Sequence, residues 1–135
     1  MFTEIWERFE AIEECYELML AYAAQGLLSD EGSKSGTQVR AFLNRSVEAL
    51  SGLAESCATA MSNDRLPAFL EVLDRDARDS LAAMDLVLAQ PSISSQLIDN
   101  LNASMHLRAL LTDVFLLGEI LRTQRAAPKL VSSSA

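Results

Sequence analysis

The residues able to do chemistry are few. The chain has a single histidine, His106, and two cysteines, Cys15 and Cys57. Hydrolytic or thiol catalysis needs a nucleophile, a base and an orienting group converging on one pocket. One imidazole and two cysteines without a cationic sequence neighbour give no such pattern. No phosphate-binding glycine loop and no Gly-x-Ser-x-Gly turn is present. Metal chemistry fares no better. Di-iron helical proteins use paired Glu-x-x-His motifs, and this chain has none. His106 and Asp113 are seven residues apart, about 10 Å along a helix, too far for one ion to bind both directly. The cysteines lack Cys-x-x-Cys spacing and read as reduced packing residues. The expectation is a non-enzyme with no metal site and no cofactor.

One polar pair remains. Glu13 interrupts the apolar edge shared by Trp6 and Leu20, and His106 borders apolar residues near the chain's other end. Antiparallel helices of the lengths read below put the two at similar heights. A buried carboxylate beside an imidazole would favour the charged ring and make a pH-sensitive contact. The competing expectation is that Glu13 reaches solvent along its stem and His106 bonds locally.

The elements that must carry these residues follow from periodicity. Glycine and proline cluster in "GLLSDEGSKSG" (Gly26–Gly36), "SNDRLP" (Ser62–Pro67) and "AQPSISS" (Ala89–Ser95), which leaves four segments. Ile5, Phe9, Ile12, Tyr16 and Met19 recur at three- and four-residue spacing in the first, about Thr3 to Leu27. Leu43, Val47, Leu50, Ala54 and Cys57 do so in the second, about Thr37 to Met61. The third, about Arg65 to Leu88, carries Leu66, Leu70, Leu73, Ala77, Leu81 and Met84, with Asp64 as its expected cap. Its charge run "DRDARD" offers opposite charges four residues apart and reads as a solvated face. The fourth runs from about Ile93 to Arg125, with Ser92 as its expected cap. Hairpin signals are absent. The spacing predicts an all-α fold, an antiparallel up-down-up-down four-helix bundle over residues 1–127, with a flexible tail over 128–135.

The fourth segment contains "LLTDVFLLGEIL", Leu110 to Leu121. This stretch is too short to cross a bilayer, which takes about 20 apolar residues, and it carries two acids. On a helical wheel, Leu107, Leu110, Leu111, Val114, Leu117 and Leu121 share one face. Met105, Ala109, Leu116 and Ile120 form a second, smaller one. A second apolar face needs a second neighbour. The expectation divides between a homodimer surface and a central, more deeply buried helix.

Composition narrows the partners. Half of the 135 residues are hydrophobic and 22% are charged, as in folded globular chains. A formal net charge of −8 disfavours nucleic acid and anionic membrane surfaces. "MFTEIWERFE" has none of the three parts of a secretory signal, so the expected compartment is the cytoplasm, and two Asn-x-Ser matches count as chance. By elimination, the expected function is non-catalytic protein–protein interaction, as an adaptor, chaperone-like protein or regulatory subunit, through self-association and an unknown protein partner. The alternative is a small-molecule sensor with a ligand among Trp6, Phe9, Tyr16 and the other aromatics.

Overall fold

The computed structural model describes residues 4–134, with side chains described over 4–124. It is all-helical, with no strand among the described residues. The helices are α1 (Ile5–Ala24), α2 (Lys34–Leu50), α3 (Leu53–Ala60), α4 (Leu66–Leu88), α5 (Ser95–Ala103) and α6 (Met105–Ser134). The tail expected over 128–135 concerns residues whose side chains lie outside the described range.

Six helices replace the expected four, because two of the expected segments are broken. The second breaks at Ser51 and Gly52, where Gly52 takes a left-handed conformation with φ 74° and ψ 20°. Only glycine adopts that region without a steric penalty. The fourth breaks at Ser104, whose extended backbone (φ −63°, ψ 144°) separates α5 from α6. The caps also move. Ser33 accepts from the Gly36 amide at 2.9 Å and starts α2, and Ser94 accepts from the Leu97 amide at 3.0 Å and starts α5. Arg65 rather than Asp64 precedes α4, and Pro67 sits in its first turn.

α1 lies against α2, α3, α5 and α6, and α4 also packs on these four helices. The apolar stripes read from the sequence make the core: Phe9, Ile12 and Met19 share one buried cluster with Leu43, Leu73 and Val114, all essentially without exposure. A polar clasp closes one end. Asp30 accepts from Arg40 Nε at 2.5 Å and from the buried Ile93 amide at 2.6 Å. Arg40 also donates to the carbonyls of Leu88 and Gln90, and the Tyr22 hydroxyl donates to the Ile93 carbonyl at 2.6 Å. Gly36 packs so closely on this clasp that a Cβ there would lie 1.9 Å from the Asp30 carbonyl oxygen. The loops after α1 and α4 are thereby fixed to the start of α2. No described helix is long and apolar enough to cross a membrane.

Candidate interaction surface

The inward face of α6 is the one expected. Leu107, Leu110, Leu111, Val114, Leu117 and Leu121 are buried. The smaller apolar face points away from the core: Met105 is 83% exposed, Leu116 49% and Ile120 38%, while Ala109 is half-buried. Leu116 and Ile120 stand over a cleft of about 210 Å³ whose other wall includes Met61, Leu66 and Phe69. Val72 on α4 is also exposed, at 40%. On a wheel of about 100° per residue, Asp113 falls between this exposed stripe and the buried face.

Asp113 is buried where α6 packs on α4, with 6% of its surface exposed. The carboxyl of Asp76, half-buried on α4, lies within hydrogen-bond reach. Burial first, then the Asp76 carboxyl, pushes the Asp113 carboxyl up to about 7. The run "DRDARD" is thus only partly a solvated face. Asp74 and Arg78 do pair in solvent, at 2.8 Å, but Asp76 turns inward. Its position gave the signal: Asp76 follows Leu73 by three residues and precedes Ser80 by four, and both of those are buried.

Glu13 and His106 are not brought together. His106 is exposed, and its Nδ1 lies 3.8 Å from Asp79 Oδ2 on α4. Glu13 is half-buried, and burial raises its carboxyl above the ordinary value while Arg122 opposes the rise. The cause is register. Trp6 holds Arg122 against its ring at 5.8 Å, and Phe9 lies opposite Gly118. Continued along antiparallel helices, this places Glu13 opposite Val114 and Phe115, about two turns from His106.

Of the aromatics expected around a ligand, Trp6, Tyr16, Phe69 and Phe115 line surface hollows, while Phe9 and Tyr22 pack in the core. Phe9 and Tyr22 are 1% exposed, and Trp6 meets Phe9 edge-on at 6.1 Å. The two thiols are buried: burial pushes both Cys15 and Cys57 up to about 12, with the Ser46 hydroxyl partly offsetting it at Cys15 and Arg8 at Cys57. No group of three or more metal-ligating side chains occurs among the described residues. Comparison with family models, curated proteins and solved structures finds no match.

Proposed function

We propose that this protein is a non-catalytic protein–protein interaction module that pairs with a second copy of itself through α6. The observation that carries this reading is the exposure of Leu116 and Ile120 above an apolar cleft on a single chain. Exposed apolar surface of this kind costs solubility unless something covers it. A twofold pairing brings the same patch from both copies together, so each side chain acts as both knob and wall. In this reading α2–α3 and α5–α6 act as two broken rods beside α1 and α4, an antiparallel bundle of four, and the protein works in the cytoplasm, where its thiols stay reduced. A second, basic protein partner would be steered by the outer face of α1, which exposes Glu10 and Glu17.

Native mass tests the proposal, by light scattering on a sizing column and then by native mass spectrometry. The wild-type chain is expected as a dimer without adducts. Leu116→Glu combined with Ile120→Glu should give a folded monomer with unchanged helix content by circular dichroism. A wild-type monomer would overturn self-association. A monomer carrying a small additional mass would instead favour a ligand held between the helices.

A further inference from the structure

The seam between α4 and α6 puts two carboxyls face to face. Asp113 is buried, and its Oδ2 finds no donor among the described groups. Its neighbour across the seam is the carboxyl of Asp76. Two ionised carboxylates are acceptors only, so neither can bond to the other unless one carries a proton. In a place with little water they also cannot both ionise at modest cost.

The charged groups on the surrounding helices offer Asp113 no counter-ion among the described residues. On α4, Asp79 is engaged with His106 further along the seam. On α6, Arg108 lies across the helix, in a hollow it shares with Asp99 of α5. On α1, Glu13 interacts with Arg122. On α3, Glu55 interacts with Arg78, and on α2, Arg45 bonds Glu14. Among the described residues, burial and Asp76 are what act on Asp113.

We propose that Asp76 and Asp113 hold one proton between them, and that this proton clasps α6 to α4, so that its loss loosens the seam. The clasp sits at the border of the exposed apolar stripe on α6. It acts within one chain, so it stands whether or not the chain self-associates.

The direction of the effect follows from linkage. The native Asp113 carboxyl keeps its proton up to about pH 7, whereas an unfolded aspartate loses it near its ordinary value of 3.8. Stability from the clasp is complete below the lower value, declines as pH rises between the two, and is gone above the higher one. Within that window the unfolding equilibrium constant should rise by up to about tenfold per pH unit from this pair.

Two measurements test it. Urea unfolding of the wild-type chain, followed from about pH 4.5 to 8.5, should show that rise. Asp113→Asn and Asp76→Asn should each flatten it, and Asp113→Asn should be the more stable protein at the alkaline end, because its amide donates to Asp76 without needing a proton. Asp79→Asn, on the same seam, should keep the wild-type dependence. Carbon-13 carboxyl shifts of labelled wild-type protein give a readout that needs no variant: the Asp113 carboxyl should titrate near neutrality. The proposal is overturned if every aspartate titrates below about pH 5, in the ordinary carboxylate range. It is equally overturned if either Asn variant keeps the wild-type slope. Recovery of stability at alkaline pH with millimolar Mg²⁺ or Ca²⁺ would assign the pair to a cation and overturn the proton clasp.

Discussion

Asp30 shows how much one carboxylate can organise. Its two oxygens serve the Arg40 guanidinium and the buried Ile93 amide, and the side chain of Arg40, part-exposed, bridges on to the end of α4. The bond from Arg40 holds the Asp30 carboxyl below its ordinary value, with the Ile93 amide adding to this and burial opposing it. Asp30→Asn keeps an acceptor for Ile93 but gives up the charge. It should cost about 1–2 kcal/mol at neutral pH, the scale of a charge-assisted hydrogen bond. The sign of its pH dependence is opposite to that of the Asp76–Asp113 pair. A depressed carboxylate stabilises above its unfolded value and loses that contribution as pH falls through its lower native value. The gap between wild type and Asp30→Asn, measured by urea unfolding, should therefore close on acidification below the ordinary carboxylate range. None of this was legible in the sequence. Asp30 lies in a Gly/Ser-rich loop and its partners follow by 10 and 63 residues, so no local pattern joins them. Asp76 and Asp113 escaped for a related reason. Each could be placed at the edge of its own helix, but their meeting depends on a register that only packing fixes.

The helices were legible because their apolar residues recur at the period of a helix, and nearly all of those stripe residues are buried or half-buried. The breaks were not, because the stripe runs through them. Leu50, Ala54 and Cys57 keep helical spacing across Gly52, and all three are buried. Periodicity reports which face is apolar, not whether the backbone is continuous. The local clue was the Ser51-Gly52 dipeptide, a turn signal inside an otherwise helical run. Two glycines separate these effects. Gly52→Ala places a Cβ in a left-handed conformation and should cost about 1–2 kcal/mol. Gly118 is inside α6, and a Cβ there would meet Phe9 at 3.9 Å, an ordinary contact. Gly118→Ala should therefore stabilise by about 0.5–1 kcal/mol through helix propensity. Thermal unfolding of the two variants beside wild type should move the midpoint in opposite directions. A rise with Gly52→Ala would mean that the α2–α3 break is not set by that residue.

For the molecule as a whole, the decisive quantity is how cooperatively these helices hold together. The two cysteines report on it from different places. Cys15 lies mid-way along α1, which contacts four other helices, and Cys57 lies in α3, which packs mainly on α4 and α1. Both are essentially without exposure, and both thiols are pushed up to about 12. Alkylating reagents attack the thiolate, and burial holds both thiols in the unreactive protonated form. Labelling must wait for the structure to open. α3 has eight residues, too few to persist as a helix once its packing is lost, and it follows the left-handed turn at Gly52. Local release of α3 should expose Cys57 while α1 stays in place. Timed alkylation with iodoacetamide, quenched and read by peptide mass spectrometry, should therefore modify Cys57 well before Cys15, and Gly52→Ala should widen the interval. Equal rates for both thiols would mean that α3 and α1 open only together.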